Sequence, residues 1–391
     1  AIAYTFEPGN AIGISEGEAR DVSLANRYAI ESAIYIENEQ DVSERLKINY
    51  GLRLSHFNYT GKGNAYTYED PEVLGERRMP IDIRPVDQWE SIQTYFNFEP
   101  RFSAKYQLNP TSSLKASYNR TTQYIHLISN TTASTPVDVW TPSTNNIKPQ
   151  LADQVALGYF RNFSNNRYEF ITEVYYKKMQ HLVDYIDGAD LLLNEFIEGD
   201  LLEGEGRAYG AEFLLEKSKG DFTGWASYTL ARTERRVEGI NNNEWYPSRF
   251  DQKHSFSLTA FYELNERWNF SGTFVLNSGT PTTFATSRYE QQGYVVPHNG
   301  LDVRNNVRIP SYHRLDLSAT LKGRKKSEED RWVGDWVFSI YNVYNRRNPF
   351  SIFFRQDADR PVMDQAIMTE AIQLSVVGSF IPSISYNFKF R

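Results

Sequence analysis

The segment DYIDGADLLLNEFIEGDLLEGEGR carries eight acids between Asp184 and Glu205, and no base precedes Arg207. Asp184, Asp187 and Asp190 lie around a glycine and could offer carboxylate oxygens to calcium, a cation that takes oxygen ligands. Their spacing is not that of an EF-hand loop, and a solvated acidic connection is the competing reading. The six histidines, His56, His126, His181, His254, His298 and His313, include no HExxH-type pair. A serine elbow, a phosphate-binding loop and a dinucleotide fingerprint are also missing from the sequence. Nothing therefore points to an enzyme, and no cofactor is implied.

A different chemistry is suggested by STPVDVWTPSTNN and GTPTTFATSRYEQQGYVVPHNG, which set Trp140, Phe284, Tyr289, Tyr294 and His298 among amides and hydroxyls. Aromatic area combined with adaptable hydrogen bonding suits capture of a large amphipathic ligand. Loops packing on one another would use the same residues. Tyr124 and His126 end an alternating run and could face the same cavity, with a structural role as the alternative for His126.

The elements that must position these residues read as strands. In FIPSISYNFKFR, Phe380, Pro382, Ile384, Tyr386, Phe388 and Phe390 alternate with Ser383, Ser385, Asn387, Lys389 and Arg391. A period of two gives one apolar and one polar face. RLKINYGLRLS repeats the pattern, pointing Leu52 and Arg53 to opposite sides. Thirteen such runs are predicted, near 28–38, 45–56, 92–108, 113–125, 152–163, 167–183, 205–217, 221–235, 252–264, 267–278, 311–322, 332–345 and 372–390. Short turns alternate with long connections (57–91, 126–151, 184–204, 236–251, 279–310 and 346–371), as in a meander seen from its two ends. Several runs reach the roughly 9–11 residues that cross a bilayer. The prediction is an all-β, transmembrane, antiparallel up-and-down β-barrel with its aromatic face toward lipid.

Composition agrees. The 391 residues hold 26 Tyr, 24 Phe and 7 Trp but no cysteine, which leaves no disulfide or thiolate metal site. A net charge of −7 argues against a nucleic-acid partner. No run of 18 apolar residues exists, and a membrane barrel needs none.

From about residue 27 onward the sequence resembles TonB-dependent outer-membrane receptors of the Bacteroidetes type. The resemblance rests on YPSRFDQKHSFSLTAFYELNERWNFSGTFVLNSGTP, RIPSYHRLDLSATLK, DWVFSIYNVYNRRNPFSIFF and FIPSISYNFKF, in that order, with ESAIYIENEQDVSERLKINYGLRLSHF and KPQLADQVALGYFRN before them. It implies a bacterial outer-membrane location and a barrel of about 22 strands with a plugged lumen. It also implies import of a large scarce ligand (siderophore, vitamin, peptide or glycan), coupled to the TonB complex through the plug. The chain is expected to supply about 13 of those strands. Residues 1–27 would be an extracellular loop or incomplete strand and residues 28–391 the C-terminal part of the barrel. The plug and the N-terminal half of the barrel would be partners outside this chain. Outer-membrane lipid and a surface lipoprotein would be further partners, and Tyr386, Phe388 and Phe390 would form an assembly signal. The alternative is a structural or interaction subunit of a surface complex.

Overall fold

The protein is described from a computed structural model that covers every residue except 8–9, 16–17, 71–74, 129–138, 187–188, 190, 192–193, 286, 292–293, 299–302, 324–331, 357–368 and 391. At 10–15, 18–23, 139, 288–291, 294–298, 332, 354–356, 369 and 390 it describes backbone alone.

Fourteen strands follow one another around a single antiparallel sheet, each hydrogen-bonded to the next in chain order. They are β1 (Ile2–Phe6), β2 (Arg27–Asp41), β3 (Leu46–Thr60), β4 (Ser91–Asn109), β5 (Ser112–Gln123), β6 (Gln150–Phe163) and β7 (Tyr168–Tyr185), followed by β8 (Leu201–Lys217), β9 (Phe222–Val237), β10 (His254–Glu263), β11 (Trp268–Asn277), β12 (Tyr312–Lys322), β13 (Trp332–Tyr341) and β14 (Ile381–Phe390). No crossover interrupts the order, so the sheet is the up-and-down meander expected. Among the described residues no helix is long and apolar enough to cross a membrane. The helical turns described are two 3-10 segments, Ile197–Asp200 and Asn241–Asn243.

Register explains why one face is apolar. Residues directly opposite across antiparallel strands share a face, and Ile36 pairs with Leu52, Leu54 with Phe98, and Phe213 with Tyr228. Ile36, Leu52, Phe98, Val155, Phe213 and Ile384 are all exposed despite being apolar, as a lipid-facing wall requires. The opposite face is polar: Ser257 stands beside Ser227, and Ser339 beside Ser318 and Ser383. There Arg53 lies 3.1 Å from Glu31 and 3.6 Å from buried Glu99.

The turns at one end are short and locally stabilised. Ser164, Asn165 and Asn166 all take left-handed backbone, which asparagine tolerates well. Asn265 Oδ1 accepts from the backbone N–H groups of Arg267 and Trp268 at 2.9 and 3.0 Å. Every long connection, including 7–26, is at the other end, and several fold into hairpins of their own. One pairs Gly63–Tyr68 with Pro80–Val86, and another pairs Ile125–Ile128 with Val139–Pro142.

At the margins one reading narrows and two change. Residues 2–6 add a short fourteenth strand, in keeping with the incomplete-strand alternative for 1–27: Phe6 pairs with Arg27 and Ile2 with Glu31. The run predicted over 372–390 splits, because Thr369–Leu374 pairs back onto Ser351–Gln356 and only Ile381–Phe390 joins the wall. Ser375 Oγ donates to the Asn348 carbonyl at 2.7 Å, tying the intervening segment to the loop. The run 332–345 stops at Tyr341, where Asn342 turns left-handed.

Opposed faces yield a direct test. Leu52→Arg would place a cation in lipid near the middle of β3 and is expected to cost roughly 2–4 kcal/mol. Asn49→Arg on the lumenal face, where Asn49 now bonds Glu37 at 2.8 Å, should cost less than about 1 kcal/mol. Folding yield into lipid vesicles measures both, and equal losses would refute the register.

Candidate functional site at the outer mouth

The buried core of the described residues lies at the long-loop end, in the connections and the outer ends of the strands that carry them. One apolar cluster joins Ile128, Ile147, Leu191, Ile197 and Leu201, a second joins Ala29, Phe57, Tyr59 and Tyr124, and a third joins Val237, Ile240 and Tyr246. The first joins the β5–β6 and β7–β8 connections, while the other two pack connection residues against the outer ends of wall strands, so the loops form a cap seated on the wall.

Buried acids at this end are met by arginines from distant parts of the chain. Glu198 accepts from Arg27 Nη1 at 2.8 Å and from Asn146 Nδ2 at 2.6 Å. Asp200, fully buried, receives a two-pronged bond from Arg77, with Nε at 2.6 Å and Nη2 at 2.9 Å. Arg78 donates to the carbonyls of Glu198 and Leu201. Asp184 accepts from Tyr246 Oη at 2.7 Å and Arg304 Nη1 at 3.0 Å. Asp251 accepts from Arg308 and from the Thr233 N–H. A forked guanidinium matches a carboxylate in geometry and charge, and so satisfies an acid that burial would otherwise penalise. Burial raises the Tyr246 hydroxyl above its ordinary pKa, and the adjacent Asp184 raises it further. Tyr66, which donates to Glu195 at 2.7 Å, is pushed up to about 12, by burial first and Glu195 second.

Arg27 and the Tyr66–Glu195 pair border an open crevice of about 820 Å³, solvent-facing space included, which Tyr59, Trp140, Leu191 and Ile197 also line. Lys62, Asn64, Asn194 and Glu195 add polar groups to its lining.

The family model described as TonB dependent receptor-like, beta-barrel matches residues 4–345. The chain belongs to this family. It is thus an outer-membrane β-barrel chain of the TonB-dependent receptors, as the order of motifs implied. No curated protein matches it. Among solved structures it is similar to the ferric-catecholate import receptor Fiu from E. coli K12, with a TM-score of 0.56 at 12% identity over 96% of this chain and 47% of that one. The FrpB iron transporter from Neisseria meningitidis gives 0.56 at 12% identity over 94% and 46%. BauA, the ferric preacinetobactin receptor from Acinetobacter baumannii, gives 0.55 at 14% over 94% and 44%. At these identities the likeness concerns the fold, and the receptor chain spans less than half the length of each.

Within the receptor chain the candidate residues separate. Trp140 is half exposed and borders the crevice. Tyr124 is buried, stacked on Phe57 with ring centroids 4.6 Å apart and hydrogen-bonded to Ser55 and Asn97. His126 is buried between Ser143 Oγ at 2.9 Å and Gln150 Nε2 at 3.1 Å, and desolvation pulls its pKa down to about 4, leaving a neutral ring. Neither reaches open space. Phe284 is held by its backbone, whose N–H donates to Asn306 at 2.8 Å. Tyr289, Tyr294 and His298 sit in the hairpin of Ser287–Gln291 with Tyr294–His298, and their side chains are outside the described residues. So are Asp187 and Asp190, whereas Asp184 is engaged by Tyr246 and Arg304. The acidic segment is not simply solvated: Glu198 and Asp200 are buried and ion-paired. His254 and His313 bond Tyr228 and Tyr344, each at 2.8 Å. Tyr386 tilts against Trp336 at 4.8 Å and stacks on Phe388 at 6.2 Å, both on the lipid side, and Phe390 pairs with Trp332 through backbone.

Sequence reading missed Arg27, Arg77, Arg78, Asn146 and Arg304. The visible hint was the basic pair at 77–78 inside one long connection, opposite in charge to the acids of another.

Proposed function

We propose that the chain forms the C-terminal wall and outer vestibule of a TonB-coupled importer of a large scarce ligand: a siderophore, vitamin, peptide or glycan. The observation that carries this reading is the packed cap of long connections at one end of an amphipathic wall, with an aromatic-bordered crevice in it. Loops on a rigid scaffold are where recognition resides. The N-terminal barrel strands and plug would complete the wall, and the plug would pass on force from the TonB complex. Trp140, Tyr289 and Tyr294 supply stacking area for the ligand in this reading, and Tyr386, Phe388 and Phe390 mark the strand for assembly.

The test is growth of the native host on single sources of each ligand class, with and without the full-length receptor. Loss of growth on one class, shared by a strain lacking TonB, is the expected result. Unchanged growth on every class would overturn the importer reading and favour a structural subunit. Once a ligand is known, replacing Trp140, Tyr289 and Tyr294 together with Ala should weaken binding at least tenfold, about 1.4 kcal/mol. Trimming the short-end connection 323–331 should leave binding unchanged.

A further inference from the structure

Residues 194–200, between β7 and β8, touch three other parts of the chain. Glu198 reaches Arg27 at the head of β2 and Asn146 before β6. Asp200 is clamped by Arg77 from the β3–β4 connection. The backbone joins in: Arg78 N–H donates to the Gly199 carbonyl at 3.1 Å, and Ile186 N–H to the Asp200 carbonyl at 2.9 Å. At Gly199 a Cβ would come within 2.3 Å of the Arg78 carbonyl, so the two connections meet too closely for any other residue there. Asn145 and Asn146 both donate to the Tyr66 carbonyl, at 2.8 and 2.9 Å, closing a ring between the β3–β4 and β5–β6 connections.

We infer that residues 194–200 are a keystone that makes the β3–β4, β5–β6 and β7–β8 connections and the head of β2 one mechanical unit. The crevice they border is then prebuilt, and any movement of the mouth on ligand capture belongs to other connections. Charged, desolvated bonds of this kind are stiff because opening one strands a buried acid, and units held this way open together. The inference deepens the importer reading, yet its test needs no ligand, so either can fail alone.

The test is hydrogen–deuterium exchange on the purified full-length receptor carrying Asn146→Ala. This substitution lies at the far side of the ring and removes two hydrogen bonds, one to the Glu198 carboxylate and one to the Tyr66 carbonyl. Exchange should accelerate about tenfold in residues 61–68, 143–147 and 194–203 together, while 342–349 stays unchanged. Arg77→Ala, which acts from another connection, should accelerate the same three segments. Acceleration confined to the connection carrying each substitution, or no acceleration in either variant, would overturn the keystone.

Discussion

Removing residues 380–391 from the full-length receptor is expected to abolish its accumulation in the outer membrane. β14 pairs with β13 from Trp332–Phe390 to Tyr341–Ile381 without a break. Deleting it exposes that whole ladder of backbone groups where no water can bond them, at several kcal/mol for each group left in hydrocarbon. The side chains add to the loss. Tyr386 covers Gly334 so closely that a Cβ there would lie 2.1 Å from its hydroxyl, and the same ring packs on Trp336. β13 thus presents a glycine gap shaped to the last strand. The measurement is receptor content of isolated outer membranes, with total synthesis checked in parallel. Wild-type levels of the truncated protein would show that β14 does not complete the wall.

The second large effect is expected at the cap. Arg27→Ala leaves Glu198, almost fully buried, with Asn146 as its remaining described side-chain partner. Breaking a buried pair on one side costs about 3–5 kcal/mol, because a charge remains without compensation. The double variant Arg27→Ala with Glu198→Gln removes that charge and should recover most of the loss. Arg27 sits at the outer end of β2, beside the connections it holds, so the readout is protease sensitivity of the connections between β3 and β8. If the double variant proves as sensitive as the single one, Glu198 is not held as a buried anion.

The wall was legible in the sequence because it depends on a short-range rule. Strict alternation in 46–54 or 380–390 assigns each residue to a face whatever its neighbours are, and bilayer thickness sets how long such a run must be. Family membership was readable for the same reason, since strand motifs and the turns between them keep their order along the chain. The margins were less legible. Residues 2–6 became a strand only because β2 offered them an edge, and 369–374 left the last strand only because 351–356 was there to pair with.

The mouth was decided by tertiary structure. His126 stands two residues from Tyr124 and looks in sequence like a cavity residue, but both are sealed among Ser55, Asn97, Ser143 and Gln150. The acids of 184–205 looked like a solvated tract or a cation cage, and Glu198 and Asp200 are instead buried partners of Arg27 and Arg77. The partners of Glu198 lie 171 and 52 residues away along the chain. A charge pattern read locally shows that arginines and acids exist, while which of them meet depends on where the wall brings its loops. Alternation is a property of neighbours in sequence, and an ion pair between loops is a property of neighbours in space.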